Sequence, residues 1–469
     1  MLKFMTTDRP KRVLFIAYQF PPVGGVGVQR VTKFVKFLPE FGWQSSVLTV
    51  SNPSVPLLDD SYQRDIAPST IVRRAKTYEP GYAVKQAVSA SNGTQPGFLK
   101  RILKGMARWA GNLVLQPDAQ ILWHHHAWKE ALNLLAEVPH DAIVATGPPF
   151  SSLILGAKLS RKTGLPLILD YRDEWSISNA YWENKQQGMF ANWVQRRQQN
   201  SAVRQADILL ATTPSSAKSV AGVAATAGSK ARTTYIYNGY DPDDFPISAA
   251  PVAKQDYGNG TYRFRLAFVG TLWNLNSIEP LVTAIQKLSQ EHPQLVGHLE
   301  LLLAGRRTAD QDTIVDRLSE TSCAVSRLPF IEHAEAVRLM QSADSLLMLN
   351  SDLPHAQRIV NAKTFEYMAA KRPIFVVAPE GDVWDIVRDL PGTVLCPPSN
   401  VELIKQQLAL TIETYRCGVH HNDAHWDIAR FHRRESARQL ALLLENVSRD
   451  SSATTSIDQG PARQDHHTD

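Results

Sequence analysis

Three groups of residues have the types and spacing to do chemistry. The first is Gly24-Gly25-Val26-Gly27, between an apolar run and a helical pattern. Backbone N–H groups at a glycine-rich turn opening a helix form an anion site, so these glycines suggest phosphate binding; a tight turn without ligand is the plainer alternative. A dinucleotide site would want a third glycine at position 30 and an acid ending the second strand. Here stand Arg30 and Val50-Ser51-Asn52, which disfavours a nicotinamide dehydrogenase. The second group, Tyr171-Arg172-Asp173-Glu174-Trp175, follows a buried-looking strand. There Asp173 would orient a hydroxyl and Arg172 would hold an anion, or the two would pair and brace their loop. The third is Glu366 with Lys363, three residues apart on one helix face after a strand, where open α/β sheets bind ligands. A solvated ion pair is the bland alternative. Arg306 directly follows Leu303-Ala304-Gly305 at another strand end, either as an anion contact or as a surface arginine.

Other chemistries are disfavoured. His124, His125 and His126 are adjacent, and neighbours on a helix point about 100° apart, so they cannot converge on one ion. His466 and His467 lie in the tail, and no metal ligand set is visible. Cys323, Cys396 and Cys417 have no paired spacing, so neither a disulfide framework nor a zinc site is expected and a reducing cytosol fits. With 50 Lys plus Arg against 45 Asp plus Glu the charge is +5, too little for a dedicated nucleic-acid binder. The apolar run Val13 to Phe20 follows Lys11-Arg12 as in a secretion signal, but it ends in Pro21-Pro22 and reads as a strand. No apolar stretch reaches the ~18 residues of a membrane span.

The elements that must position these residues repeat in two sets. The 469 residues exceed an ordinary domain about threefold. The first set has strands at 13–17, 46–50, 141–145, 166–170, 206–210 and 234–237, with helical patterns from Val31 to Leu38, Ala127 to Glu137 and Ser151 to Thr163. Gly239 is expected to supply a turn at the hinge before a linker over 246–260. The second set has strands at 264–269, 299–304, 325–329, 345–349, 373–378 and 393–396. A last helix carries Ala437, Leu440, Leu443 and Leu444. The expected division is an N-terminal domain 1–245, the linker, a C-terminal domain 261–446 that includes this helix, and a disordered tail 447–469.

Two α/β halves and a linker resemble a GT-B glycosyltransferase, and local segments resemble the family-4 retaining glycosyltransferases (glycosyltransferase group 1). The matching stretches are FPPVGGVGVQR (20–30), QPDAQILWHHHAW (116–128), ATGPPFSS (145–152), LILDYRDEW (167–175), IYNGYDPDDF (236–245), FVGTLWNLNS (268–277) and NAKTFEYMAAKRPI (361–374). The resemblance implies two Rossmann-like doubly wound domains facing across a cleft, the nucleotide-sugar donor on the C-terminal domain and the acceptor on the N-terminal one. It makes Glu366 the second glutamate of an E-x7-E pattern, accepting the ribose hydroxyls. The chain departs at the first glutamate, where Arg358 stands, and at the basic pair after the FVG strand, replaced around Thr271 to Asn274. Arg306, Arg307, Arg358 and Lys363 with the Gly24-Gly25 amides are candidates to compensate the diphosphate charge. The implied donor-binding set is therefore Gly24, Gly25, Gly270, Thr271, Arg306, Arg358, Lys363 and Glu366, with Asp173 and Arg172 on the catalytic side and no metal or other cofactor.

The activity implied is transfer of a sugar, with retention, from a nucleoside diphosphate to a cell-surface polysaccharide or glycolipid precursor. Double displacement needs two carboxylates about 5 Å apart, and the sequence identifies no such pair. Front-face attack asks only for positioning and charge stabilisation; Asp173 is the fallback base or nucleophile. A nucleotide-sugar epimerase or hydrolase of the same fold, and an inactive binding subunit, remain alternatives. Partners expected are the nucleotide-sugar and a sugar or lipid-linked acceptor, without nucleic acid. Phe98 to Leu115 places Phe98, Ile102, Met106, Trp109 and Leu113 along one side and Lys100, Arg101, Lys104 and Arg108 elsewhere, as in a helix lying on anionic lipid; an ordinary domain helix is the alternative. A cytoplasmic protein reaching the inner face of the plasma membrane follows.

Overall fold

The computed structural model describes residues 9–55, 58–82, 115–177, 188–245, 262–419 and 424–457. The chain forms two compact units, Met1–Tyr237 with Arg433–Asp469, and Asn238–His432. Each is a parallel sheet dressed with helices.

In the first unit the strands β1 (Lys11–Ile16), β2 (Trp43–Val50), β3 (Ile71–Ala75), β4 (Ala142–Gly147), β5 (Leu167–Tyr171), β6 (Ile208–Ala211) and β7 (Arg232–Tyr235) lie in the order β3-β2-β1-β4-β5-β6-β7, every pair parallel. Both faces are covered, so strand residues are apolar on both sides, as buried parallel strands require. Leu14 and Ile16 pack under helices α2 (His124–Glu137), α3 (Ser151–Thr163), α4 (Met189–Gln205) and α5 (Pro214–Ala227). Val13 and Phe15 face α1 (Val26–Phe37), which the glycine turn opens.

The second unit repeats the plan. Strands β8 (Phe264–Val269), β9 (Leu299–Ala304), β10 (Ala324–Leu328), β11 (Ser345–Leu349), β12 (Ile374–Val377) and β13 (Val394–Cys396) run parallel in the order β10-β9-β8-β11-β12-β13. Helices α6 (Glu279–Glu291), α7 (Ala309–Asp316), α8 (His333–Ser342), α9 (Lys363–Ala369) and α10 (Asp382–Val387) connect them, and α11 (Val401–Arg416) follows β13. Two doubly wound α/β units are thus present, each with a reversal of strand order, at β1/β4 and β8/β11, where such sheets bind ligands outside their carboxyl ends.

Two expected boundaries differ. The first unit ends at Tyr237 rather than 245, and the last helix, α12 (Arg433–Ile457), belongs to the first unit, not the second. Its Ala437, Leu440, Ala441 and Leu444 join Val13, Phe15 and Phe34 in one core, and Glu445 accepts from Trp43 Nε1 at 3.2 Å. The tail expected from 447 is helical to Ile457, since Val447 is still buried in that core. The linker 246–260, the segment Phe98 to Met106 and on to Leu113, and residues 458–469 lie outside the described residues.

Candidate functional site

At the β1/β4 reversal of the first unit, Arg172 follows β5 and turns back. Its guanidinium donates to the carbonyls of Gly27 and Pro148, and at 3.3 Å to Gln19 Oε1. It ties the loops after β1, β4 and β5 together. Gly27 makes room for it, because a Cβ there would meet Gln19 Oε1 at 2.2 Å and Arg172 Nη1 at 3.2 Å. Arg172 thus braces backbone carbonyls, acceptors that sequence does not mark, and forms no ion pair with Asp173.

The rest of the YRDEW run is also committed, apart from one residue. Glu174 accepts from Ser216 Oγ at 3.0 Å and Ser219 Oγ at 2.7 Å on α5. Trp175 stacks on Phe150 with centroids 4.6 Å apart and donates to Gln195. Tyr171 is buried in the core. Asp173 alone is exposed and makes no hydrogen bond or ion pair with the described residues. Desolvation raises its carboxyl above the ordinary range, Arg172 opposes this and Asp170 adds to it; the open surface of Asp173 limits what that shift is worth.

Sequence reasoning noted Arg30 only as a missing glycine. Buried, it meets Asp170 at 3.1 Å and donates to the Ile236 carbonyl at 3.0 Å, while Thr146 Oγ1 donates to Asp170 at 2.9 Å. One buried ion pair therefore fixes α1, β4, β5 and the chain after β7. Gly25, with φ +93°, opens α1 without a side-chain cap, and Gly24 and Gly25 stand in this unit, unlike the other donor-side candidates. His124 donates from Nε2 to the Ser151 carbonyl at 2.7 Å, and burial lowers it to about 4. No three His, Cys, Asp or Glu side chains among the described residues are placed to hold a metal.

In the second unit the β8 and β9 ends touch. Gly305 has φ +125°, and a Cβ there would sit 2.0 Å from the Gly270 carbonyl, so only glycine fits this crossing. Gly270 donates its N–H to Ala304 at 2.9 Å, so it shapes the loop rather than offering that amide to a phosphate. Thr271 beside it is exposed. The two arginines after Gly305 divide: Arg307 pairs with Asp312 at 2.7 Å and donates to the Leu328 carbonyl, while Arg306 is exposed, stands over Phe330 at 5.7 Å and has no carboxylate partner among the described residues. Arg306 is the available cation at this edge.

After β11 the chain makes a 3-10 turn, Ala356–Arg358, and enters α9. Asn361 Nδ2 donates to Asn350 Oδ1 at 2.7 Å, and Asn350 donates to the Ile359 carbonyl at 2.9 Å, clamping both ends of that loop. Arg358 on the turn is half-buried. Tyr367 accepts the Val269 N–H at 2.9 Å, which locks α9 onto the end of β8. The preceding residue, Glu366, has a side chain only 5% exposed and is paired with Lys363, itself 23% exposed. The ion pair foreseen as the bland alternative is thus present, in a buried carboxylate at the reversal point.

Residues 263–413 match the family model described as "Glycosyl transferases group 1". No curated protein matches this sequence. Among solved structures, HepE (Alr3699) of Anabaena in complex with UDP is similar at 15% identity with a TM-score of 0.51, covering 95% of this chain and 100% of that one. WaaG, a glycosyltransferase involved in lipopolysaccharide biosynthesis, is similar at 14% identity and 0.51, covering 96% and 100%. The lipopolysaccharide outer core galactosyltransferase WaaB, apo form, is similar at 12% and 0.54, covering 92% and 99%. The shared property is the fold.

Proposed function

We propose that this chain, a GT-B protein carrying a group 1 glycosyl transferase domain, is a retaining glycosyltransferase that moves a sugar from a nucleoside diphosphate to a cell-surface polysaccharide or glycolipid precursor. The observation that carries the reading is Glu366, a nearly buried carboxylate held at the β8/β11 reversal inside the matched segment. In this reading Glu366 accepts the ribose hydroxyls, Lys363 both orients it and lends positive charge, and Arg306 and Arg358 face the diphosphate. UDP in HepE supports a uridine donor.

The acceptor belongs to the first unit, where Asp173 is the one uncommitted acid of its loop. Front-face attack, with the leaving phosphate taking the acceptor's proton, asks of the protein only positioning and charge stabilisation; Asp173 then orients the hydroxyl. WaaG is described as involved in lipopolysaccharide biosynthesis and WaaB as a lipopolysaccharide outer core galactosyltransferase, which supports a cell-envelope acceptor. Among the described residues no helix is long and apolar enough to cross a membrane. A cytoplasmic enzyme meeting the membrane's inner face through 98–115 fits a lipid-linked acceptor.

Donor turnover by purified protein, with and without a lipid-linked acceptor, tests this. Acceptor-dependent release of UDP is expected. UDP release without an acceptor would mark an epimerase or hydrolase, and donor binding without turnover an inactive subunit, the reading favoured by Arg358 in place of the first glutamate.

A further inference from the structure

Among the described residues, large exposed apolar side chains are mostly scattered, which needs no explanation. Helix α4 is the exception. Its first two turns expose Met189 at 91%, Phe190 at 53% and Trp193 at 50% of their surface. Arg196 and Arg197, one turn further on, are exposed as well. At 100° per residue these five side chains fall within an arc of about 120°. The opposite face buries Gln195, bonded to Trp175 and Gln116, and the later turns bury Ala202 and Val203 in the core, so the helix is anchored while this arc stays exposed.

Charge says what covers the exposed arc. The 17 residues of α4 contain no Asp or Glu. Neither Arg196 nor Arg197 has a carboxylate partner among the described residues, and Arg197 instead stands 4.3 Å over the Trp193 ring. Aromatic and Met side chains beside unpaired arginines suit a bilayer interface: the rings enter the acyl boundary while the guanidinium groups stay at anionic headgroups. We propose that the N-terminal half of α4 docks on anionic lipid, as a contact separate from 98–115 and built wholly from described residues. It rests on the glycosyltransferase reading only for its purpose, presentation of the active site to a lipid-linked acceptor.

Sedimentation of the full chain with phosphatidylcholine vesicles, with and without 30% phosphatidylglycerol, tests this. Wild type should partition onto the anionic vesicles, and more weakly at high salt. The variant Phe190→Ser/Trp193→Ser should lose about tenfold or more in partitioning. Arg196→Gln/Arg197→Gln should lose up to about thirtyfold, the equivalent of ~1 kcal/mol for each cation. Both pairs lie on the surface, so the variants should keep wild-type circular dichroism and activity on a short soluble acceptor. Wild type that stays in the supernatant, or variants that pellet as it does because 98–115 alone binds, would overturn the proposal. So would a dimer that the variants dissolve without any lipid effect. A protein without transferase activity that still binds vesicles through α4 would sink the functional reading and leave this one standing.

Discussion

Arg30, in the helix that follows the glycine turn, holds Asp170, at the end of β5, with their side chains 2% and 1% exposed. Both side chains are shielded from solvent, so each charge is compensated chiefly by the other, with Thr146 Oγ1 and the Ile236 carbonyl beside them. Removing one partner of a buried pair typically costs ~3–5 kcal/mol, because the survivor is left uncompensated. Asp170→Asn should therefore destabilise the first unit by that order, read from urea unfolding. A loss below about 1 kcal/mol would show that Thr146 and the backbone carbonyls suffice without the charge.

Arg172 is bonded to backbone carbonyls and its neighbour Asp173 is exposed, so two variants should separate bracing from the proposed role in transfer. Arg172→Ala frees the Gly27 and Pro148 carbonyls, so it should lower stability and raise the KM for the acceptor. Asp173→Asn breaks no hydrogen bond of the described structure, so it should leave stability unchanged and lower kcat. Equal loss of stability in both variants would give Asp173 a structural role instead.

For Glu366→Ala we expect weaker donor binding by ~1.5–3 kcal/mol, the range for a hydrogen bond to a charged group, in a protein that still folds. Calorimetric titration with UDP-sugars checks it. The variant also strands Lys363, so Lys363→Met should be measured beside it. Unchanged donor affinity in folded Glu366→Ala would remove that carboxylate from the site.

Transfer should survive a chelator if, as proposed, Arg306, Arg358 and Lys363 supply the cations on the donor side. Complete loss with EDTA, restored by Mn²⁺, would contradict that assignment.

How much the sequence discloses depends on where each partner comes from. Strands 264–269 and 299–304 read correctly because a buried parallel strand is a continuous apolar run. β3 escapes because it is an edge strand with Arg73 and Arg74 in its middle, whose charges are answered by Glu130 and Glu137 on α2 and by the Pro21 carbonyl. The apolar stripe of α12 is visible in sequence, but a stripe does not say which sheet it covers. The same holds for Arg172: its type suggests an anion, and its acceptors in the structure are carbonyls in the first turn of α1 and in the loop after β4, both far away in sequence. The Lys363–Glu366 ion pair was legible because it is local, two side chains three residues apart on one helix.

The first unit should also lose stability in mild acid. His124 and His140 are each lowered to about 4, desolvation being the larger cause, and each bonds one backbone carbonyl while neutral. In the unfolded chain both return to about 6.5. Between about pH 6.5 and 4 the unfolded state therefore binds more protons than the folded one, so stability rises with pH across this window and falls as the solution is acidified. Above pH 6.5 the contribution is constant, and below about 4 it levels off because both states are protonated. Each histidine adds at most ~1.4 kcal/mol per pH unit to the slope. Carboxylates contribute at the lower end, so the upper part of the window reports the histidines. Urea midpoints measured from pH 7.5 to 5 should decline for wild type and decline less for His140→Gln, which removes the titrating ring. Parallel curves for the two proteins would mean that His140 is already accessible to protons in the folded state.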